Sequence, residues 1–313
     1  MSYKILNTIG PEFSVKAKPI LEKLGAVDYL KLDQKKLLEI VADYDMILVG
    51  LGLHINKEII DQAPKLKIIA TATTGLDHID LAYAESKGIK ILSLRGETEF
   101  LDSISGTAEL AWALILDLLR LTHPAAADVK NYHWDREKWR GHNLYGQTLG
   151  IVGLGRLGRW LARYGQAFGM KVLAYDPQVK SSDLAQLVSF SELLKQSDII
   201  SVHVHLGEDT KNIFNANVFH QMKSSAYLVN TSRGQIVNET DLLEALENKK
   251  IAGYATDVLA DELEFGKKFK KHPLVEYSKK HNNLIIVPHI GGMTYESREA
   301  TDIFMAEKIV KAL

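Results

Sequence analysis

The stretch from Thr148 to Asp176 limits the fold of this chain more than any other feature. It reads TLGIVGLGRLGRWLARYGQAFGMKVLAYD, with Gly153, Gly155 and Gly158 at G-x-G-x-x-G spacing between an apolar strand pattern and an amphipathic helix pattern. The first glycine permits a tight turn, the second lets a pyrophosphate approach the backbone, and the third lets helix and strand pack closely. The stretch therefore predicts a strand–turn–helix–strand unit that binds a dinucleotide.

The residues around the glycines indicate which dinucleotide is bound. The amides of Arg156 and Leu157 open the predicted helix and are expected to point at the phosphates. Asp176 ends the next strand roughly twenty residues later, where a carboxylate accepts hydrogen bonds from ribose hydroxyls and repels a 2′-phosphate. NAD is therefore the expected cofactor, while Lys180 nearby leaves NADP open. An ordinary tight turn with Asp176 in a surface loop is the alternative, and it explains the first glycine but not the whole set.

The fingerprint lies at the middle of the 313-residue chain, not at its start. From Tyr3 to Leu92, short Ile/Leu/Val runs already alternate with helical patterns, and a second alternating series begins at the fingerprint. We therefore predict an α/β fold with two Rossmann-like or flavodoxin-like doubly wound parallel sheets and a cleft between them. Residues 1–100 with 292–313 are expected to form a discontinuous substrate domain, and residues 101–291 an inserted NAD-binding domain.

Two further segments read as helices. SISGTAELAWALILDLLRLTHP predicts a long, strongly apolar helix ended by Pro124. The last segment, YESREATDIFMAEKIVKAL, has a helical pattern with no strand after it, and we expect it to return to the first domain.

Composition excludes several classes of function. The chain has 38 Lys+Arg against 39 Asp+Glu, a balance that argues against nucleic acid as a partner. It has no cysteine, which fits a reducing compartment. The N-terminal sequence MSYKILNTIG turns polar too soon for a signal peptide, and no apolar run is long enough for a bilayer. We therefore expect a cytoplasmic protein with no membrane partner.

Three segments at predicted strand ends carry polar side chains: NTSRG, TDVLADE and VPHIGG. With them, the sequence resembles the D-isomer-specific 2-hydroxyacid dehydrogenases, a family that includes D-lactate, glyoxylate or hydroxypyruvate, and D-3-phosphoglycerate dehydrogenases. The resemblance covers nearly the whole chain, from TTGLDHID through TAELAWALILDLLR and GQTLGIVGLGRLGR to PHIGG. It implies that Arg233 binds the substrate carboxylate and polarises its carbonyl, and that Glu262 and His289 form the acid/base pair.

Elementary chemistry supports these three residue types. Oxidation of a 2-hydroxy acid needs a base for the hydroxyl proton while a hydride leaves C2, and histidine can exchange protons near neutral pH. A neighbouring glutamate stabilises the imidazolium, and the planar fork of an arginine can hold a carboxylate with two hydrogen bonds. Taken singly, each residue also has a plainer interpretation: a solvated charge for Arg233 or Glu262, and a strand cap for His289.

The resemblance also assigns residues that contact cofactor and substrate. It places Asp257 near the nicotinamide amide, Thr231 and Thr210 beside the cofactor, and His205, where the family commonly has proline, near the cofactor phosphates. The backbone amides around Thr74, Gly75 and Leu76 correspond to the loop that holds the substrate carboxylate; an ordinary glycine turn is the alternative.

Departures from the family concern the substrate. Leu263 follows Glu262 where the family commonly has proline, and Leu53 stands where several relatives carry a basic residue, which puts recognition of a phosphorylated acid in doubt. Arg95 is interpreted either as a second anion ligand or as a surface residue. His203 lies on the same strand side as His205, but no third ligand is evident, so we expect no metal.

The sequence thus predicts an NAD-dependent oxidoreductase that interconverts a small D-2-hydroxy acid and its 2-oxo acid. An NAD(H)-sensing binding protein of the corepressor type is the alternative, and an enzyme of formate, phosphonate or adenosylhomocysteine chemistry is a second rival. A homodimer is expected through TAELAWALILDLLR and NYHWDREKWRGHNLYG, unless both segments pack within the subunit.

Overall fold

A computed structural model describes residues 2–50, 52–262, 265 and 271–313. The chain divides into two compact units, 1–103 with 293–313 and 104–292. The boundary between the two units comes after the short helix Thr98–Asp102. The boundary at residue 100 expected from the sequence would divide this helix. The roles assigned to the two domains and the cleft between them stay predictions. Leu263, the departure after Glu262, lies outside the described residues.

The first unit is built on a parallel sheet. Its strands are β1 Tyr3–Asn7, β2 Gly25–Tyr29, β3 Met46–Leu48, β4 Ile68–Ala70 and β5 Lys90–Leu92. In the described part of the chain they pair in the order β2-β1-β3-β4-β5. Every residue of β3 and β4 is buried, as expected for strands covered on both faces. This is the flavodoxin-like order, in which the loops after β3, β4 and β5 share one edge.

The second unit carries a larger parallel sheet. Its strands are β6 Thr148–Val152, β7 Lys171–Tyr175, β8 Gln186–Leu187, β9 Ile199–Val202, β10 Tyr227–Asn230, β11 Gly253–Thr256 and β12 Leu284–Ile286. Among the described residues their order is β12-β11-β10-β9-β6-β7-β8. The chain runs one way from β6 to β8 and the other way from β9 to β12, which is the Rossmann arrangement. The predicted fold class is confirmed.

Helices connect the strands, and polar caps begin many of them. They are α1 Lys18–Glu22, α2 Gln34–Ile40, α3 Lys57–Asp61, α4 Leu81–Ser86, α5 Thr98–Asp102, α6 Gly106–Arg120, α7 Thr122–Lys130, α8 Arg156–Ala167, α9 Phe190–Gln196, α10 Ala216–Phe219, α11 Glu239–Glu247, α12 Pro273–Ser278 and α13 Tyr295–Lys311. Ser189 and Glu192 form the reciprocal capping box that their spacing predicts. Within the described ranges, no helix combines the length and apolar character needed to cross a membrane.

The apolar helix α6 ends earlier than the sequence predicts. It stops at Arg120 because Leu121 takes a left-handed conformation with φ 54°, and α7 then begins at Thr122. Pro124 lies in the first turn of α7, where a missing N–H breaks no helical hydrogen bond. The prediction that Pro124 ends the helix was therefore wrong. Most apolar side chains of α6, including Trp112 and Ile115, are buried within the second unit, which supports the alternative that this helix packs within the subunit.

The C-terminal helix α13 belongs to the first unit. It packs against α1, and its buried Asp302 accepts a hydrogen bond from the Ser14 amide at 2.9 Å. Lys16 and Glu299 add a surface ion pair between the same segments. The chain therefore returns to complete the first unit after forming the second.

Candidate active site

The strand order of the second sheet reverses between β6 and β9, and the fingerprint lies at that point. Gly153 follows β6 with φ +93°, and a Cβ added there would lie 2.6 Å from the carbonyl oxygen of His203, which follows β9. Only glycine fits both the backbone angle and this close approach. Ligands of open α/β sheets bind beyond the carboxyl ends of the strands at such a reversal.

The three glycines have different surroundings. A Cβ on Gly158 would lie 2.1 Å from the Gly153 carbonyl oxygen, so α8 packs directly on the turn. A Cβ on Gly155 would meet nothing within 4 Å, so that side of the turn is open. The amides of Arg156 and Leu157 lie in the first turn of α8, where a helix offers no internal acceptors. This segment, 153–158, is called the glycine turn below; it fits a pyrophosphate laid against an open backbone.

Asp176, at the end of the next strand, is hydrogen-bonded to the glycine turn. It comes directly after β7, and its Oδ2 accepts a hydrogen bond from the Leu154 amide at 2.8 Å. Its Oδ1 accepts from the Gln178 amide at 2.9 Å. The carboxylate is therefore fixed at the same sheet edge as the glycines, in a position suited to ribose hydroxyls.

Two histidines follow β9, and they differ in surroundings. His203 is enclosed, with its Nε2 2.8 Å from Ser201 Oγ. Burial lowers the pKa of His203 to about 3, with the Arg156 charge contributing, so its ring is neutral at physiological pH. His205 lies in the loop that follows, where Thr210 Oγ1 donates to the His205 carbonyl at 2.6 Å and accepts from the Gly207 amide at 2.8 Å. Among the described residues, no three His, Cys, Asp or Glu side chains gather to hold a metal ion.

Arg233 follows β10 in a turn built by Asn230. The Asn230 side chain donates to the Arg233 carbonyl at 2.9 Å and accepts from the Ser232 amide at 3.0 Å. Gly234 packs against the loop after β11: a Cβ there would lie 2.1 Å from the carbonyl carbon of Leu259. The backbone that carries Arg233 therefore touches the backbone that leads to Glu262. Thr231, also in this turn, is buried, and its Oγ1 has no hydrogen-bond partner within the described part of the chain.

Glu262 and His289 form a direct pair. The distance between His289 Nδ1 and Glu262 Oε1 is 2.5 Å, and both side chains are about three-quarters buried, with 27% and 20% exposed. Glu262 Oε2 also accepts from the Leu259 amide at 3.3 Å. With the carboxylate as acceptor at Nδ1, the other ring nitrogen, Nε2, is the atom that can exchange a proton with a ligand.

Asp257 holds the backbone on which His289 stands. His289 has a left-handed backbone with φ 53°, a conformation that costs free energy for residues other than glycine. Its amide donates to the Asp257 carbonyl at 2.8 Å, and the next two amides, of Ile290 and Gly291, donate to the Asp257 carboxylate at 2.6 and 2.8 Å. Asp257, Glu262 and the segment 289–291 are called the histidine corner below. In this structure Asp257 fixes the corner, a role that the sequence analysis did not foresee.

Burial makes the ionised form of Asp257 less favourable. The residue is 1% exposed, and burial raises the pKa of its carboxyl to about 6, against the lowering effect of the two amide hydrogen bonds. The carboxylate that orders the histidine corner is therefore close to protonation at mildly acidic pH.

Glu239 is a further buried carboxylate behind the site that the sequence did not indicate. Its Oε1 accepts from the Ala260 amide at 2.9 Å, and its Oε2 lies 3.2 Å from His272 Nε2. Burial raises the pKa of Glu239. Glu239 thus supports the segment that leads to Glu262, and its place as the first residue of α11 is the one signal that could have indicated a buried carboxylate behind the site.

The structure thus brings the predicted cofactor and acid/base residues into one unit. The second unit contains Gly153, Gly155, Arg156, Leu157, Gly158, Asp176, His205, Thr210, Thr231, Arg233, Asp257, Glu262 and His289. Thr74, Gly75 and Leu76 follow β4 in the first unit, where Arg95 and Thr73 donate hydrogen bonds to the carbonyls of Thr74 and Gly75.

Comparison with known proteins gives the family. Residues 112–291, more than half of the chain, match the model described as D-isomer specific 2-hydroxyacid dehydrogenase, NAD binding domain. That range lies inside the second unit and contains both the glycine turn and the histidine corner.

Individual relatives extend the match beyond that domain. A D-3-phosphoglycerate dehydrogenase of Methanocaldococcus jannaschii is 37% identical over 300 residues, which cover 94% of this chain and 55% of that protein. A hydroxypyruvate reductase of Thermotoga maritima is 35% identical over 286 residues, covering 90% of this chain and 89% of that protein. The chain therefore spans about half the length of the first relative and most of the second.

A solved structure agrees with these sequence matches. The D-lactate dehydrogenase of Aquifex aeolicus, in complex with NAD and lactic acid, superposes with a TM-score of 0.85 at 32% identity, over 99% of this chain and 94% of that one. The cofactor of the second unit is NAD, because the family model is that of an NAD-binding domain and the glycine turn with Asp176 suits this ligand. The chain belongs to the D-isomer specific 2-hydroxyacid dehydrogenase family.

Proposed function

We propose that this protein is an NAD-dependent dehydrogenase that transfers a hydride between nicotinamide and C2 of a small D-2-hydroxy acid, working in vitro most readily as a 2-oxo acid reductase. The observation that carries the proposal is the 2.5 Å contact between His289 Nδ1 and Glu262 Oε1. A histidine fixed in one tautomer by a carboxylate is an acid/base group for reactions near neutral pH.

Each residue has a defined part in the reaction. In the direction of reduction, His289 gives the Nε2 proton to the carbonyl oxygen that becomes the hydroxyl, and in oxidation it takes that proton back. Glu262 stabilises the imidazolium form and holds the ring orientation. Arg233 binds the substrate carboxylate through its planar fork and polarises the adjacent carbonyl. Bound NAD(H) supplies the hydride acceptor or donor.

The substrate is proposed to be a small acid without phosphate. Relatives named hydroxypyruvate reductase, glyoxylate reductase and D-lactate dehydrogenase support this class. Leu53, at the position where several relatives carry a basic residue, is apolar and only 5% exposed. Without a cation there, a phosphate group would lose its counter-charge, which disfavours D-3-phosphoglycerate as the substrate.

We further propose a cytoplasmic homodimer. Aromatic side chains in the segment NYHWDREKWRGHNLYG support self-association: Tyr132 is 98% and Trp134 88% exposed, and Tyr145 is also exposed. Exposed aromatic side chains of this size are typical of interaction surfaces. The absence of cysteine from the sequence supports a reducing compartment.

The direct test is oxidation of NADH by the purified protein with glyoxylate, hydroxypyruvate, phosphohydroxypyruvate, pyruvate and bulkier 2-oxo acids. We expect turnover of at least one unphosphorylated acid, and His289→Ala should lower kcat by about 10²- to 10⁴-fold. His220→Ala, which removes an exposed histidine from the same unit, is the matched control and should leave kcat unchanged.

Two outcomes would contradict the proposal. Turnover retained in His289→Ala would show that His289 is not the acid/base group. Tight NADH binding without turnover of any acid would instead favour the NAD(H)-sensing alternative.

A further inference from the structure

Two side chains of the first unit hold consecutive carbonyl groups of the loop after β4. Arg95 Nε donates to the Thr74 carbonyl oxygen at 3.2 Å, and Thr73 Oγ1 donates to the Gly75 carbonyl oxygen at 2.7 Å. From the sequence, Arg95 has two interpretations, an anion ligand or a surface residue. In the structure its Nε is bound to the loop itself.

Peptide geometry gives these contacts a consequence. Because a trans peptide is planar, the carbonyl of one residue and the N–H of the next point in opposite directions. Fixing the carbonyls of Thr74 and Gly75 therefore fixes the N–H groups of Gly75 and Leu76 on the other side. Both residues are buried, yet neither amide donates a hydrogen bond to any residue that the structure describes. An amide of a buried residue that has no acceptor in the protein is available to a ligand.

The Thr73 contact is the end of a directional chain of hydrogen bonds. Since Thr73 donates to Gly75, it accepts from Thr71, whose Oγ1 is 3.0 Å away. Thr71 in turn lies 3.4 Å from His78 Nε2. Thr71 and His78 are buried, so the chain is protected from exchange with water. Donors arranged in sequence polarise one another and strengthen the last bond, here the one to the Gly75 carbonyl.

The Arg95 contact rests on a fixed backbone. Arg95 and Gly96 form a turn in which the Glu97 amide donates to the Leu94 carbonyl at 3.2 Å, and Gly96 has φ +87°. Lys308 of α13 ties this turn down, because its Nζ donates to the Ser93 carbonyl at 2.7 Å and pairs with Glu97. The Arg95 side chain thus starts from an ordered position, although its own surface is exposed.

We propose that Arg95 and Thr73 are positioning residues for the substrate carboxylate, acting through the peptide planes of Thr74 and Gly75 so that the amides of Gly75 and Leu76 face the anion. This inference rests on the proposed function. Arg95 acts from the carbonyl side of the peptide, opposite the amide, so it orients and polarises the donor and does not touch the carboxylate. Two amide donors that are already oriented bind a carboxylate more tightly than the amides of a mobile loop, because less conformational entropy is lost on binding.

A set of three substitutions separates this role from that of an anion ligand. Gln places its amide nitrogen where Arg has Nε, so Arg95→Gln keeps the donor and loses the charge. Arg95→Lys keeps the charge and has a methylene at that position, and Arg95→Met has neither donor nor charge. We expect Arg95→Gln to behave as wild type, and Arg95→Lys and Arg95→Met to raise KM for the 2-oxo acid about tenfold with kcat within about twofold.

Thr73 offers a second, independent pair. Thr73→Ser keeps the hydroxyl and should retain the wild-type KM, while Thr73→Val keeps the shape and loses the donor, and should raise KM about fivefold. Lys35→Met, which removes an exposed charge from the same unit, is the control and should change nothing. Thermal unfolding of each variant shows that the effect is not a loss of fold.

The Kd of oxamate, a carboxylate that is not reduced, is measured alongside in the presence of NADH and should follow the KM pattern. If Arg95→Lys behaves as wild type while Arg95→Gln and Arg95→Met are weakened, Arg95 is an anion ligand and the proposal is overturned. If no variant differs from wild type while the wild type reduces an acid and binds oxamate, this inference alone fails. If the wild type neither reduces any acid nor binds oxamate, the proposed function fails.

Discussion

The glycine turn and the histidine corner lie in the same unit but are held together by different kinds of contact. The glycine turn is assembled mainly within one strand–helix–strand unit, from Thr148 to Asp176, where the Leu154 amide donates to Asp176, 22 positions away; Gly153 also packs against the His203 carbonyl after β9. The histidine corner joins residues that follow different strands, through hydrogen bonds that span 27 to 34 positions. Residue spacing describes most of the first, whereas the second depends on the packing of the whole sheet.

The two regions also differ in what they cannot tolerate. The glycine turn requires residues without a Cβ, since a Cβ at Gly153 or Gly158 would overlap backbone oxygens. The histidine corner depends on buried charge, since the Asp257 carboxylate orders two amides from a site where its ionised form is disfavoured. The glycine turn should therefore be sensitive to size, and the histidine corner to pH and to the identity of hydrogen-bonding atoms.

The largest effect is expected from glycine substitutions that separate packing from ligand approach. Gly158→Ala places a Cβ 2.1 Å from the Gly153 carbonyl and should lower the free energy of unfolding by about 3 kcal/mol and abolish NADH binding. Gly155→Ala has open space and should keep the wild-type melting temperature while NADH binding weakens. Calorimetry and NADH fluorescence measure both; equal stability losses in the two variants would contradict the assignment.

Next in size is the substitution Glu262→Gln in the histidine corner. The amide keeps the shape but loses the negative charge that stabilises the imidazolium, so kcat should fall about 10²-fold with little change in the Kd of NADH. Steady-state kinetics and an NADH titration test this together. A change in NADH affinity as large as the change in kcat would show that Glu262 serves the cofactor and not His289.

Asp257→Asn tests the buried charge of the histidine corner. The side-chain NH2 would face one of the amides of Ile290 and Gly291, both donors, so kcat should fall about tenfold as the left-handed backbone of His289 is released.

The stability of the fold should also depend on pH through Asp257. Burial raises the pKa of Asp257 from 3.8 to about 6, so its contribution to stability is full below about pH 4 and is lost as the pH rises through about 6, a change of about 3 kcal/mol.

Denaturant unfolding from pH 4 to pH 7 measures that difference. The wild type should lose stability relative to Asp257→Asn across this window. Parallel curves for the two proteins would mean that the Asp257 carboxyl is not raised in pKa by the fold.

The smallest effect is expected at the edge of the glycine turn. Asp176→Ser removes the charge that disfavours a 2′-phosphate but keeps a polar side chain, so the preference for NADH over NADPH should fall about tenfold while turnover with NADH changes little. The ratio of kcat/KM for the two cofactors is the readout. An unchanged ratio would assign the selectivity to another residue, with Lys180→Met as the next variant to compare.

The residues predicted the strand–helix–strand unit, and the family resemblance predicted the Glu262–His289 pair, but contacts that hold one strand-end loop to another were missed. The glycine spacing, Asp176 and the Ser189–Glu192 capping box all follow from residues within about one supersecondary unit. The role of Asp257 in ordering residues 289–291 could not be predicted, because nothing in TDV indicates that its carboxylate meets amides more than thirty positions away. The same holds for Arg95, whose partner Thr74 is 21 positions distant on a neighbouring strand end.

Pro124 shows a different limit. Proline is expected to end a helix, but α6 ends at Arg120, before Pro124, and the left-handed residue Leu121 makes the break. Leu121 carries no sequence signal for that conformation, since leucine rarely adopts it. The predicted end of the helix is therefore a few residues too late.

The most direct test of the account is a double-mutant cycle on Glu262 and His289, measured as kcat/KM for the best 2-oxo acid substrate. If the pair works as one acid/base unit, adding Glu262→Gln to His289→Ala should lower kcat/KM by less than about threefold, although Glu262→Gln alone costs about 10²-fold. If the two losses multiply instead, each residue acts independently, and the 2.5 Å contact between His289 and Glu262 is not the centre of the catalytic site.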